Sequence, residues 1–281
     1  MPQQINQVAI IGVGLIGGSL GLALKEKKIA KRIIGVGRRE ESLKVARERR
    51  EVDEITTDLT SGVKDADLVV IATPLELTIE TFRKILPHLK KGCVVTDVGS
   101  VKGPILKRID HPFFIGGHPL AGSEKRGPQA AKADLFKEAT VVLTPVKKTD
   151  KKALALVKSM WQDLGAKVLF LDCAIHDRLV AFTSHLPHIL AASLTNLIGE
   201  LAQEEERVLS LMGEGFRDTT RIAASPPSMW KEISFANREE ISKAIKRFKE
   251  ILSEMEEALS KEEGDKLLHK FEKAKETRDK L

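Results

Sequence analysis

Three glycines limit the fold of this chain more than any other feature. They stand in Gly12-Val13-Gly14-Leu15-Ile16-Gly17, directly after the apolar run Val8-Ala9-Ile10-Ile11. A short β-branched run that ends in glycine reads as a strand buried on both faces. Leu15, Ser19, Leu20, Leu22 and Ala23 then continue with helical spacing. In a strand–turn–helix unit of this spacing, Gly12 permits the tight turn and Gly14 lets backbone approach a pyrophosphate. Gly17 lets the helix pack against the strand. The helix start at Leu15 and Ile16 offers free N–H groups and a positive dipole end to phosphate. Gly12, Gly14, Leu15, Ile16 and Gly17 are therefore the candidate cofactor cradle. The competing reading is a glycine-rich strand–helix turn without a ligand.

A βαβ unit needs its second strand next, and Ile33 to Val36 supplies it. An acid about 20 residues beyond the glycines marks NAD binding, because it bonds the ribose 2′-OH. Here Gly37, Arg38 and Arg39 stand after the strand. The missing carboxylate removes repulsion against a 2′-phosphate, and two guanidiniums can grip one. The pattern favours NADP over NAD. The alternative leaves both arginines as solvated charges, with Glu40 or Glu41 turning back to the ribose.

Further strand–helix alternation follows. Glu41 to Arg50 reads as a polar helix, Asp67 to Thr73 as a strand, Leu75 to Leu89 as a helix and Cys93 to Val98 as a strand. Ligands of open α/β sheets lie beyond the carboxyl ends of strands. Thr73, Pro74, Gly99 and Ser100 are therefore candidate lining of the cofactor cleft, although Thr and Ser at strand ends are also common turn formers. Phe113 to His118 reads as a short strand ending at a loop histidine, and an imidazole there can accept a proton near neutral pH. Thr140 to Leu143 and Lys167 to Leu171 read as strands with a helix, Lys151 to Leu164, between them. After Asp172 only helical patterns follow. The expected division is a dinucleotide-binding domain over 1–172 and an all-α domain over 173–281. In the second, Asn237 and Glu240 give an N-cap signal. Ile241, Ile245, Phe248, Leu252, Met255 and Leu259 form an apolar stripe, suited to a core or a second subunit.

Composition excludes some alternatives. The net charge is +6, but acids and bases interleave and aromatic residues are few. That argues against a nucleic-acid groove and leaves a mild bias toward anionic ligands. Two distant cysteines, Cys93 and Cys173, fit a reduced, cytoplasmic protein. The first strand begins by residue 8, so no leader is expected. Leu179 to Gly199 lacks charge over a membrane-spanning length, yet carries His185, Pro187, His188 and Asn196, which suit a protein-buried helix better than lipid. His185 and His188 lack a spaced carboxylate or thiolate partner, so no metal is expected. Arg217 and Arg221, four apart, would share a face if that stretch is helical.

Five segments taken together resemble the prephenate/arogenate dehydrogenase family. They are Gly12 to Ser19, Asp97-Val-Gly-Ser-Val-Lys102, His118-Pro-Leu-Ala-Gly-Ser-Glu124, Ser184-His-Leu-Pro-His188 and Gly215-Phe-Arg-Asp-Thr-Thr-Arg-Ile-Ala223. The first is shared by many dehydrogenases; the other four in this order are specific. The resemblance implies a Rossmann domain followed by a helical domain that builds a homodimer. It implies oxidative decarboxylation of prephenate to 4-hydroxyphenylpyruvate, or of arogenate to tyrosine, with hydride passing to NAD(P)+. His118 matches the catalytic histidine that accepts a hydrogen bond from the ring C4 hydroxyl, and Ser100 a serine near that hydroxyl and the nicotinamide. Arg221 matches the arginine that holds the ring carboxylate, and His188 a histidine of the substrate pocket. Glu124 matches an acid near the pocket's mouth, and the resemblance makes Ser123 a substrate-binding candidate. Gly37 departs from the family's frequent acid. No room is expected for a fused chorismate mutase or regulatory domain. Two other readings stand beside this one. A β-hydroxyacid-type dehydrogenase would need a catalytic lysine, for which no clear candidate is apparent. A non-catalytic dinucleotide-sensing dimer would bind cofactor without turnover.

Overall fold

The computed structural model describes residues 4–122 and 127–280. The first strand, β1 (Ile5–Ile11), leads through the glycine turn into α1 (Leu15–Glu26) and β2 (Ala30–Val36). The chain continues through α2 (Glu40–Glu48), β3 (Glu54–Thr56), α3 (Leu59–Val63) and β4 (Leu68–Ile71). Next come α4 (Thr78–Ile85), held between two 3₁₀ turns, then β5 (Val94–Asp97), α5 (Gly103–Leu106) and β6 (Phe114–Pro119). The sheet closes with β7 (Thr140–Thr144), α6 (Lys151–Asp163) and β8 (Lys167–Phe170).

The eight strands lie in the order β3-β2-β1-β4-β5-β6-β7-β8. All neighbours are parallel except β6 and β7. Strand periodicity explains why β1 is apolar throughout. Val8 and Ile10 face one way, with Leu20 and Leu24 of α1 and Trp161 of α6. Ala9 and Ile11 face the other, with Val63 of α3, Phe82 and Ile85 of α4 and Ile105 of α5. Both faces of the sheet are covered, so neither admits a polar alternation. The order reverses between β1 and β4, which makes a crevice at their carboxyl ends.

Beyond β8 the described chain is helical. It contains α7 (Cys173–Val180), a π-helical turn over Ala181–His185, α8 (Leu186–Glu204) and α9 (Glu214–Thr220). A 3₁₀ turn over Arg221–Ala224 precedes α10 (Pro227–Ala236), α11 (Arg238–Ser260) and α12 (Gly264–Arg278). Asp172 caps α7 by accepting from the Ala174 backbone N–H at 2.8 Å. Among the described residues no helix is long and apolar enough to cross a membrane. The expected stripe on α11 is only partly covered within one chain: Ile241 is buried, whereas Leu252 and Leu259 are exposed. Leu197, Leu211, Phe235, Leu268 and Phe271 are exposed as well.

Several sequence expectations need correction. The three-residue β3 and the short α3 and α5 carry too little periodicity to be legible. Leu75 to Leu89 is not one helix, since Pro87 and the turn at Pro74 confine the α-helical part to Thr78–Ile85. Arg217 and Arg221 do not share an α-helix, because α9 ends at Thr220. Asn237 precedes α11 but makes no side-chain cap; its amide is used elsewhere, as described next.

Candidate active site

The crevice at the sheet reversal meets the demands of a dinucleotide. Gly12 has φ +97, and a Cβ there would lie 2.5 Å from the Ala72 carbonyl oxygen, so the β1 turn presses directly on the end of β4. A Cβ on Gly17 would lie 2.1 Å from the Gly12 carbonyl oxygen, which fixes how closely α1 sits on its own turn. A Cβ on Gly14 would meet nothing within 4 Å, so backbone is open there to an approaching group. Thr73, just after β4, has a buried hydroxyl without a hydrogen-bond partner. An open glycine at a helix N-terminus, and an orphaned hydroxyl across the crevice, fit a pyrophosphate-bearing cofactor. Leu15 and Ile16 begin α1 at the same place and are half-buried, while Pro74 is exposed beside Thr73. Arg38 and Arg39 follow β2 and are exposed at the start of α2.

A second cluster lies along the neighbouring strands. Ser100 is half-buried in the loop that leaves β5. His118 is not in a loop, contrary to the sequence expectation. It lies inside β6, opposite Val142 of β7. Beyond Ile115, β6 leaves β5 and pairs with β7, which carries the strand past the glycines. Gly116 and Gly117 allow this close approach. A Cβ on the first would lie 2.4 Å from the Thr144 hydroxyl, and one on the second 2.7 Å from the Asp97 carbonyl oxygen.

Asp97, at the end of β5, organises the floor. Its carboxylate accepts from the backbone N–H of Gly99 at 2.9 Å and of Gly117 at 3.2 Å. It also pairs with the Lys102 ammonium, and both side chains are fully buried. Lys102 donates a further hydrogen bond to the Gly117 carbonyl at 2.7 Å. A lysine is thus present at the site after all, but two of its three donors hold β5, the following loop and β6 together. Burial lowers its pKa, against the opposing pull of Asp97.

Around His118 the structure adds groups that the motifs did not reveal. His118 Nδ1 lies 2.9 Å from Nε2 of His176 on α7. His176 Nδ1 lies 2.7 Å from Asp177 Oδ1. Asp177 also accepts from the backbone N–H groups of Lys102 at 2.8 Å and Gly103 at 2.7 Å. The Asn237 amide donates to the Asp177 carbonyl at 2.8 Å and lies 3.2 Å from His185 Nδ1, which is where its capping capacity has gone. Burial, reinforced by His176, Lys102 and His185, holds His118 well below the usual imidazole range. The expectation that it titrates near neutral pH is therefore corrected: His118 is a neutral imidazole, a hydrogen-bond acceptor or donor but not a resting cation. Burial likewise lowers His185 to about 4.

The helical residues form the remaining wall. His188 stacks on Trp230 with ring centroids 3.6 Å apart and donates from Nδ1 to the Ser184 carbonyl at 3.0 Å. That bond leaves Nε2 of His188 as an acceptor. Burial lowers the His188 pKa, with the Arg221 charge acting in the same direction, so Arg221 is electrostatically near His188. Arg221 itself is exposed, in the turn after α9. His185 links the two groups, since its ring centroid is 6.0 Å from that of Trp230 and its charge would act on His118. The Nε2 of His185 and Nε1 of Trp230 are buried without protein partners. Ser123 and Glu124 lie outside the described residues. Among the described residues no three His, Cys, Asp or Glu side chains gather as metal ligands would.

Comparison with known proteins settles the lineage. Residues 20–170 match the family model for the prephenate dehydrogenase nucleotide-binding domain, and residues 172–273 match that for the prephenate dehydrogenase dimerization domain. The chain belongs to the prephenate dehydrogenase family. It is accordingly an NAD(P)-dependent oxidoreductase. It is 36% identical to the prephenate dehydrogenase of Bacillus subtilis, over 100% of this chain and 77% of that protein. It is 32% identical to the cyclohexadienyl dehydrogenase of Zymomonas mobilis, over 97% of this chain and 95% of the relative. The crystal structure of Aquifex aeolicus prephenate dehydrogenase, in complex with hydroxyphenyl propionate and NAD+, superposes with a TM-score of 0.93 at 34% identity, covering 98% of each chain. Synechocystis arogenate dehydrogenase gives a TM-score of 0.82 at 32% identity, covering 98% of this chain and 99% of the other.

Within this prephenate dehydrogenase family member, His176, Asp177, Asn237 and Trp230 carried little sequence signal. His176 and Asp177 follow an Asp N-cap, which reads as an ordinary helix start. Only the approach of His176 to His118 across 58 residues of chain, with Asp177 bonded behind it, gives them meaning.

Proposed function

We propose that this protein oxidatively decarboxylates prephenate to 4-hydroxyphenylpyruvate, with hydride passing to NAD(P)+. The observation that carries the reading is His118: an imidazole buried in β6, one strand beyond β5 from the crevice at β1 and β4, with its Nδ1 2.9 Å from His176. A neutral imidazole that draws on the C4 hydroxyl proton makes the ring carbon a better hydride donor. Bound NAD(P)+ supplies the hydride acceptor. Gly12, Gly14, Leu15, Ile16 and Gly17 would hold its pyrophosphate, with Thr73 and Pro74 beside it, and Ser100 would contact the reacting hydroxyl. Arg221, His188, Ser123 and Glu124 would bind substrate. Loss of the ring carboxylate as CO2 aromatises the ring and makes the step effectively one-way. That carboxylate is fully charged in the ground state and loses charge as it leaves, so Arg221 orients and binds more than it stabilises the transition state.

The exposed Arg38 and Arg39, without an acid at position 37, favour NADP+ over NAD+. The apolar surface left on α8, α11 and α12 in one chain supports a homodimer through a helical domain that begins near residue 173. Free Cys93 and Cys173 are consistent with a reducing, cytoplasmic setting, and the proposed partners include neither membrane nor nucleic acid. The likeness to Synechocystis arogenate dehydrogenase favours a second reading, in which arogenate is oxidised to tyrosine. One assay separates these: purified protein with prephenate or arogenate, each crossed with NAD+ or NADP+, followed at the absorbance of the reduced nicotinamide. Turnover of neither substrate refutes the proposal and leaves the dinucleotide-sensing alternative.

A further inference from the structure

We propose that His176 and Asp177 form a relay behind His118 that fixes its tautomer and takes up part of the charge that develops there during turnover. Both are positioning residues; neither is proposed to touch substrate.

The assignment follows from counting donors and acceptors outward from Asp177. Its two carboxylate oxygens receive the backbone N–H groups of Lys102 and Gly103, at 2.8 and 2.7 Å. Backbone N–H groups can only donate, so they hold this side chain as an acceptor. A Cβ on Gly103 would come within 2.8 Å of Asp177 Oδ2, which is why glycine stands where the carboxylate arrives. With Asp177 accepting, His176 Nδ1, 2.7 Å from Oδ1, must carry the proton. In its neutral form that ring has a bare Nε2. That nitrogen lies 2.9 Å from His118 Nδ1, so His118 must donate from Nδ1, which leaves its own Nε2 bare.

The consequence is directional. His118 is left with one lone pair, on the nitrogen remote from α7. An imidazole in the opposite tautomer would present an N–H there and could not draw on a hydroxyl proton. The order Asp177, His176, His118 thus selects the acceptor form before any ligand arrives. Asn237 buttresses the base of the relay through the Asp177 carbonyl, and His185 sits beside it. The charged or titratable groups around His118 are His176 and His185 from the helical part, and Lys102 from the loop after β5.

The relay also has room for a second role, which rests on the functional reading above. As hydride leaves the ring carbon, the hydroxyl proton moves toward His118 Nε2, and the Nδ1 proton moves toward His176 Nε2. His176 then carries both protons against the Asp177 carboxylate. When the ring carboxylate departs as CO2, its bonding electrons reach the ring oxygen, and the proton returns to that oxygen to give the phenol. No net proton is gained or lost by the protein.

The test separates tautomer from turnover. Nitrogen-15 histidine spectra of the ligand-free protein are compared with those of His118→Asn, which assigns one imidazole among seven. His118 is expected with Nδ1 protonated and Nε2 bare. In His176→Phe the acceptor is gone, and His118 should redistribute toward the Nε2-protonated form. His176→Gln keeps a carbonyl acceptor but cannot take a proton, so it should hold the tautomer. With substrate, kcat should fall about tenfold in His176→Gln and on the order of a hundredfold in His176→Phe, while KM moves less than about threefold. A wild-type His118 protonated at Nε2, or a His176→Phe protein with wild-type tautomer and kcat, overturns the relay. A correct tautomer in a protein that turns over neither prephenate nor arogenate would sink the functional reading instead, and the proton-uptake role with it.

Discussion

Glu51 follows α2 and lies against the helix that carries the glycine cradle. Its side chain is fully buried. One oxygen accepts from the Arg49 guanidinium at 3.0 Å, and the other has no partner. A Cβ on Gly18 of α1 would lie 2.4 Å from that unpartnered oxygen. Burial outweighs the Arg49 bond and pushes the Glu51 carboxyl up from its ordinary 4.5 to about 7. The raised value means that the native chain binds the proton more tightly than the unfolded chain. Stability associated with this group is therefore fully present below about pH 4.5 and is lost as pH rises through about 7. At about 1.4 kcal/mol for each tenfold change in proton affinity, ionised Glu51 costs about 3 kcal/mol relative to the protonated form. Glu51→Gln copies the neutral acid in shape, keeps an oxygen for Arg49 and cannot ionise. Urea unfolding should find the two proteins within about 1 kcal/mol of each other near pH 5. Near pH 8.5 the Gln variant should be more stable by roughly 2–3 kcal/mol. Equal destabilisation of Glu51→Gln at both values would mean that the carboxylate is ionised and held by Arg49, and the burial argument would be wrong.

Four further outcomes are expected. His118→Asn should lower kcat by roughly 10²–10⁴ with a modest change in KM, whereas Arg221→Ala should chiefly raise KM; steady-state kinetics showing the opposite division would refute these roles. Replacing both Arg38 and Arg39 with alanine should lower kcat/KM for NADP+ by at least about tenfold while sparing NAD+, which the four-way assay reads directly. Gly17→Ala must move backbone, since its Cβ would lie 2.1 Å from the Gly12 carbonyl oxygen. It should weaken cofactor binding in calorimetry and cost roughly 1–3 kcal/mol in urea. Lys102→Met strands the fully buried Asp97 and should destabilise by about 3–5 kcal/mol, with partial recovery in the Lys102→Met, Asp97→Asn double variant.

Local chemistry made much of the molecule legible. A β-branched run before a G-x-G-x-x-G spacing can bury itself only as a central parallel strand, so β1, its turn and α1 follow from short-range sterics and patterning. The end of the strand signals near Leu171 likewise matched the last strand, which ends at Phe170. The relay behind His118 was not legible, because its members come from β6 and α7 and are joined by no local pattern. The same holds for Asn237, whose cap-like position hides a bond to a carbonyl 60 residues away. Sequence by itself determined the longer strands and helices and the tight glycine turn after β1, since those depend on neighbours within a few residues; β3, α3 and α5 were too short to be read this way. Only the tertiary structure decided that His118 is buried, neutral and backed by His176 and Asp177. Burial, tautomer and proton affinity are set by whatever packs against a side chain, and in this fold those groups arrive from distant parts of the chain.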